Sequence, residues 1–209
     1  MTLSSDSQNA APAGKTIVPK EKPNPIPTVI VDGIWASPNR WSRLRLRIES
    51  EVGPCKAWHY NSSGTQSLEE LGARLVSELR ALDGPFHAVG FSMGGLIIRE
   101  AHRQDPNLPL RRVVLLNSPH RGSLMAHLLP LSACRDMRPG SPFLRRLDAS
   151  PWDFPTLVTW CPADLMILPG SSARWARATQ VVRIDIPAHD WPVLSRSLHR
   201  KIVQFLTTR

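Results

Sequence analysis

The sequence predicts an α/β protein: a mostly parallel central sheet with helices on both faces and a small cap segment. Three observations carry this. Short continuous apolar runs, Phe86 to Phe91 and Val113 to Leu116 among them, suit strands covered on both faces rather than strands with one wet side. Other stretches place apolar residues at helical spacing, as Leu68, Leu71, Leu75, Leu79 and Leu82 do. The two kinds alternate along the chain, the pattern of strands joined by helical crossovers. At 209 residues the chain is one domain's worth, long enough to bury a substantial core.

Taken in order, residues 1–27 are rich in Ser, Ala, Pro and Lys and end in Pro23-Asn24-Pro25-Ile26-Pro27, which predicts a disordered tail and a stiff lead-in to a folded domain over 28–209. Thr28 to Val31 is a β-branched strand running into Asp32-Gly33-Ile34-Trp35. Trp41 to Val52 carries Leu44, Ile48 and Val52 on one helical face, and Gly53-Pro54 stops it. A short second strand is expected over Lys56 to Tyr60. Ser67 and Glu70 read as a capping box opening a helix that Asp83-Gly84-Pro85 ends. Phe86 to Phe91 is the next strand, followed by a helix from Met93 that closes by Asp105-Pro106, and then by the strand Val113 to Leu116. Residues 119–152 break the alternation with several prolines, predicting a cap-like insertion. Regularity returns with strands over Thr156 to Trp160 and Gln180 to Ile186, and a closing helix over Pro192 to Leu206 with Leu194, Leu198, Ile202 and Phe205 on one side.

Composition narrows the function classes. The hydrophobic share of 42% and charged share of 21% are those of an ordinary globular chain. No apolar run is long enough to span a bilayer, and the N-terminus lacks the basic start and apolar middle of a secretory signal, so a cytoplasmic protein is expected. Cys55, Cys134 and Cys161 are odd in number and widely spaced, which fits neither a disulfide framework nor a metal site. The net charge of +9 comes mostly from arginine, at Arg40 to Arg47, Arg111-Arg112, Arg145-Arg146 and Arg174 to Arg183. It suits an anionic membrane surface as a partner; with no nucleic-acid signature or long basic run beside it, nucleic acid is not the expected one.

Chemistry concentrates at Gly90-Phe91-Ser92-Met93-Gly94, a G-x-S-x-G between a strand and a helix. A serine there stands on a sharp turn with its hydroxyl pushed into the open, and the following helix points its first amides at the same place. Its hydroxyl needs a base to take the proton and an acid to orient that base. Loops at the C-terminal ends of later strands supply both: Asp164 just past Thr156 to Trp160, and His189 just past Gln180 to Ile186. The other histidines fall on strands, helices or the cap. Of the other acids, Asp185 lies within a predicted strand and Asp190 adjoins the histidine, so Asp164 is preferred over them and over Asp153. The oxyanion of acyl transfer needs two fixed donors. The Met93 N–H directly follows the serine, and Gly33 lets the first loop turn the Ile34 N–H toward it.

These residues resemble the α/β-hydrolase superfamily and, more narrowly, its bacterial lipase and esterase branch. Beyond Gly90 to Gly95, Leu116-Asn117-Ser118-Pro119-His120-Arg121-Gly122-Ser123 is similar to the T-P-H-x-G-S stretch of these lipases, and Ala163 to Pro169 to their acid loop. The resemblance implies carboxylester hydrolysis through an acyl-serine without a cofactor: attack by Ser92, proton transfer by His189 held by Asp164, and an oxyanion hole at Ile34 and Met93. The substrate class implied is a small-molecule acyl ester. One departure stands out, since Asp32-Gly33 replaces the usual His-Gly. A carboxylate close to the oxyanion would slow acyl transfer or narrow the substrate range; turned away, it would pair with an arginine. Leu124, Leu128, Leu129, Phe143 and Leu147 of the cap either line an acyl site or pack in the core. A thioesterase or acyltransferase could use the same three residues. A non-catalytic binding protein on a hydrolase frame is the reading from another class, motivated by Asp32 and the basic surface.

Overall fold

The computed structural model describes residues 25–208, so the first 24 residues of the expected tail lie outside the described residues. Six strands form one sheet: β1 (Thr28–Val31), β2 (Cys55–Ala57), β3 (Phe86–Phe91), β4 (Leu110–Leu116), β5 (Thr156–Trp160) and β6 (Gln180–Arg183). Their spatial order is β2-β1-β3-β4-β5-β6, and every neighbouring pair is parallel. All C-terminal strand ends therefore face one edge of the molecule, where the loops after β1, β3, β4 and β5 gather. Open parallel sheets bind ligands at that edge.

Alternate strand residues serve two separate cores. Val29, Val31, Ala88, Val113 and Leu115 face one layer, formed by α2 (Leu68–Arg80), α3 (Met93–Gln104) and the segment between β4 and β5. Ile30, Val89, Phe91, Val114 and Leu116 face the other, formed by α1 (Ser42–Glu51) and α7 (Arg196–Thr207). Burying one such side chain contributes about 1.5–3 kcal/mol, so a one-residue slip of any central strand would put every side chain in the wrong layer. The expected capping box opens α2: Ser67 Oγ accepts from Glu70 N at 3.2 Å and Glu70 Oε2 from Ser67 N at 2.9 Å. Between β4 and β5 lie a 3-10 turn (Leu124–His127), α4 (Ser132–Asp136) and α5 (Pro142–Ala149).

Four elements differ from the sequence expectation. β4 starts at Leu110 rather than Val113, because Leu110 already pairs with Phe86 at the start of β3. The second strand is Cys55–Ala57 rather than Lys56 to Tyr60, because Trp58 N still reaches Ile30 O but Tyr60 turns its hydroxyl to the loop after β1. β6 stops at Arg183 instead of Ile186, since β5, its one partner, ends at Trp160. The closing helix is two helices, α6 (Trp191–Leu194) and α7, divided at Ser195. Ser195 is extended (φ −72°, ψ 113°) and its Oγ accepts from Leu198 N at 3.3 Å, so it caps a new helix rather than continuing the old one. Leu194, expected on the buried stripe, is 48% exposed as a result.

Candidate active site

Ser92 sits between β3 and α3 with φ 52° and ψ −123°, a left-handed conformation that a serine keeps only where its surroundings impose it. Packing imposes it here. A Cβ on Gly94 would lie 2.1 Å from Val31 O, and one on Gly90 would lie 2.6 Å from Gly95 Cα. Helix α3 thus packs directly on the sheet, and the turn between them has no room to relax. Ser92 N donates to Leu116 O at 2.8 Å, tying the turn to β4.

Asp164 and His189, far apart in sequence, meet at this edge. His189 Nδ1 lies 2.8 Å from Asp164 Oδ2. Asp164 is buried, and its other oxygen accepts from the N–H groups of Met166 (2.8 Å) and Ile167 (3.0 Å), so the turn of its own loop fixes the carboxylate. The loop is in turn laced to the one after β4: Ser123 Oγ donates to Met166 O at 2.9 Å and accepts from Leu168 N at 3.0 Å. With Nδ1–H given to Asp164, the His189 Nε2 lone pair is left for a proton from a hydroxyl. His189 and Ser92 line the same cavity, and no hydrogen bond joins Ser92 Oγ to His189 among the described residues. The other acids lie elsewhere: Asp185 pairs with Arg183 at 2.6 Å, and Asp153 and Asp190 are exposed.

The loop after β1 reaches Ser92 from the opposite side. A Cβ on Gly33 would come within 2.9 Å of Ser92 Cβ, so only glycine admits this approach. Neither the Ile34 N–H nor the Met93 N–H has an acceptor among the described residues, which leaves two donors free beside the serine. Asp32 takes the second of the two arrangements open to it. Its carboxylate is buried and turned into its own loop, accepting from Gly33 N (2.8 Å) and Ser37 N (3.1 Å), with Arg40 Nε at 3.5 Å. Tyr60 Oη donates to Asp32 O at 2.7 Å, and Trp35, left-handed at φ 53°, donates its N–H to Ser62 O. Arg40 and Tyr60 went unrecognised in the sequence because they reach Asp32 only after the chain folds back.

The cavity in front of Ser92 is about 310 Å³ and mostly apolar, with Ile34, Phe91, Met125, Leu129 and Met137 in its walls and Arg40 at one side. Trp35 and Met166, 55% and 40% exposed, stand at its mouth. The cap residues divide. Leu129 lines the cavity, Leu124 and Leu128 are exposed to solvent, and Phe143 and Leu147 belong to the core beneath it. The last two lie on α5, whose apolar face turns toward α3 instead of the cavity. His120, from the stretch after β4, is fully buried, stacked on Trp175 and 3.3 Å from Arg99. Burial, reinforced by the Arg99 charge, pushes its pKa well below the ordinary histidine value, so it is a neutral packing residue. Among the described residues no group of three or more His, Cys, Asp or Glu side chains could hold a metal ion, and no helix is long and apolar enough to cross a membrane.

A doubly covered parallel sheet with a left-handed serine between β3 and α3 is the frame of a large class of hydrolases. Residues 33–207 match the family model described as "Alpha/beta hydrolase family", and the chain belongs to that family. Similar solved structures include the mature form of the Bacillus licheniformis lipase BlEst2, with a TM-score of 0.69 and 17% identity over 90% of this chain and 94% of that one. The monoacylglycerol lipase of Paleococcus ferrophilus gives 0.68 at 17% identity, covering 88% and 95% of the two chains. The enol-lactonase of Burkholderia xenovorans LB400 gives 0.61 at 19% identity, covering 88% and 92%. At such identities the likeness establishes the fold. A comparison with curated protein sequences finds no match.

Proposed function

We propose that this chain is a serine hydrolase that cleaves uncharged carboxylic acyl esters through an acyl-serine intermediate. The observation that carries the reading is the convergence, on one apolar cavity, of a left-handed Ser92 and a His189 whose Nδ1 is held by Asp164. In this mechanism Ser92 Oγ attacks the ester carbon while His189 Nε2 takes its proton. The carbonyl oxygen becomes an oxyanion facing the Ile34 and Met93 N–H groups. Each such donor is worth on the order of 10²–10³ in rate. Collapse of the tetrahedral species breaks the bond to the alkoxy oxygen, which leaves with the proton from His189. Water then repeats the sequence on the acyl-serine, giving the acid and restoring Ser92.

Residues 119–152 act as the cap over the acyl group, with Met125, Leu129 and Met137 against it. The non-catalytic alternative loses its main motive, since the Asp32 carboxylate is offset by two N–H groups and Arg40. The test is labelling with a fluorophosphonate, mapped by peptide mass, beside turnover of a p-nitrophenyl ester. The expected result is one adduct on Ser92, with Ser92→Ala unlabelled and turnover down by on the order of 10⁴-fold or more. Undiminished turnover in folded Ser92→Ala overturns the reading. A rate on the matching thioester far above that on the oxygen ester would replace it with the thioesterase reading.

A further inference from the structure

Asn117 is the first residue past β4 and is completely buried. Its backbone is left-handed, with φ 44°, a conformation that asparagine tolerates better than most residues with a side chain. Each polar atom of its amide is used. Oδ1 accepts from Thr159 Oγ1 at 2.9 Å, on β5. Nδ2 has two hydrogens and two acceptors: Asp164 Oδ2 at 3.2 Å and the backbone carbonyl of His189 at 3.4 Å. The Asn117 N–H is also given to Thr159, at 3.0 Å to Oγ1. One amide therefore grips the end of β5, the carboxylate and the histidine's own peptide.

The third contact bears most on function because the segment carrying His189 has little else to hold it. Residues 185–188 are exposed and belong to no helix or strand. Among the described residues, the segment's other attachments to the body of the protein include the Cys161 Sγ bond to Ile186 O at 3.2 Å and the Phe91 ring, its centroid 4.9 Å from that of His189. Neither defines how far the imidazole stands from Asp164. Asn117 does, because its Nδ2 spans the same two residues that the Nδ1–Oδ2 bond joins. It does not line the cavity, so it has no part in holding substrate.

Resting on the reading of Ser92, Asp164 and His189 given above, we propose that Asn117 is a positioning residue that sets the Asp164–His189 geometry for proton transfer. Its removal acts on kcat and leaves KM in place. A misplacement of about 1 Å at a catalytic group can cost about 100-fold, so a fall of about 10- to 100-fold in kcat is expected.

The experiment uses Asn117→Gly, which keeps the left-handed backbone and deletes the amide, and Thr159→Val, which keeps Asn117 and the bond from its N–H to the Thr159 carbonyl but removes the Oγ1 partner of its Oδ1 and N–H. Three readouts are taken on each: kcat and KM on a p-nitrophenyl ester, the rate of fluorophosphonate labelling, and the downfield proton resonance of His189 Nδ1–H. The expected outcome is a lower kcat at unchanged KM, slower labelling, and a broadened or displaced resonance, larger in Asn117→Gly than in Thr159→Val. Wild-type kcat and resonance in folded Asn117→Gly overturn the proposal, as does a loss carried wholly by KM. If Asn117→Gly does not fold, Thr159→Val decides by the same readouts. If wild-type protein neither labels nor turns over an ester, the hydrolase reading fails by itself, and the resonance still reports whether Asn117 holds the pair.

Discussion

The turn that carries Ser92 and the segment that carries His189 border one cavity and are held in opposite ways. The turn is fixed by contact: β3 is buried along its whole length, and a Cβ at Gly90 or Gly94 would run into backbone of α3 or of the β1 end. The His189 segment is fixed by a few hydrogen bonds from residues far away in the chain, while its own residues face solvent. On the function proposed above, Ser92 would be the nucleophile and gain from a fixed backbone, while His189 would be the base and need only a fixed direction toward Asp164. The contrast suggests that close packing serves the first need and a small number of directional bonds serves the second.

The most severe way to break the contrast is to disturb the packed side. In an ordinary helix, Gly→Ala stabilises by about 1 kcal/mol. At Gly94 the sign reverses, because the new methyl would overlap the Val31 carbonyl, which is backbone and has nowhere to go. Gly94→Ala is expected to cost more than about 3 kcal/mol and to abolish activity, read by denaturant unfolding and ester turnover. Gly72→Ala on α2 is the matched control. Its methyl would meet Glu100 Cγ at 2.5 Å, the side chain of a neighbouring helix, and the cost should be visibly smaller. Equal costs would show that the rigidity of the backbone met at Gly94 has nothing to do with the effect.

The loop after β1 sits between the two extremes, held both by local N–H groups on Asp32 and by the distant Arg40. Arg40→Met keeps the stem and removes the charge. Because Arg40 is partly exposed and Asp32 retains two donors, a loss of about 1–2 kcal/mol in stability and a several-fold drop in kcat/KM are expected, not the larger penalty of a stranded buried ion. Arg40→Met in a Phe91→Leu background separates the two groups that Arg40 touches: an undiminished loss there means that Arg40 acts through Asp32, and a vanished loss means that it acts through the Phe91 ring, over which it also lies.

The smallest effect comes from pH and falls on the packed side, through His87 of β3. Burial pushes the pKa of His87 down to about 4, with Arg112 and Arg111 adding to the shift, and burial also lowers His120, His102 and His199. The unfolded chain would take up these protons near the ordinary value of 6.5, so below it the unfolded state binds more protons than the folded one. Stability should be full above about pH 6.5 and decline toward pH 4, with the His87 share gone below that. Melting temperatures across this range, in wild type and His87→Leu, test it. The same slope in both would remove His87 from the account.

Much of this arrangement was legible in the sequence. β3 and β5 run between the expected residues, α2 starts at its expected cap, and Ser92, Asp164 and His189 occupy the expected loops. Continuous apolar runs and glycine spacing are local, and local patterns survive without knowledge of the fold. What stayed hidden depends on register. Asn117 reads as one more turn residue until β4 is set beside β5 and the segment after β6 comes round to it. A polar residue ending an apolar run just before Ser118-Pro119 was the available signal. The division at Ser195 is hidden for another reason, since the apolar spacing runs straight through it and only the cap geometry reveals the break.

The sheet's connectivity has a consequence in time as well as in space. No two neighbouring strands are joined by a hairpin, so every pairing waits for a long loop to close, and β1 finds β3 only after α1, β2 and α2 have been laid down. Asn117 and Asp164 come from the last two crossovers, and His189 from the segment after β6, at the far end of that process. A chain still assembling would carry an exposed serine with no base beside it. On the function proposed above, reactivity toward acyl groups would be deferred until the last strand is in place, and a half-made molecule would be inert.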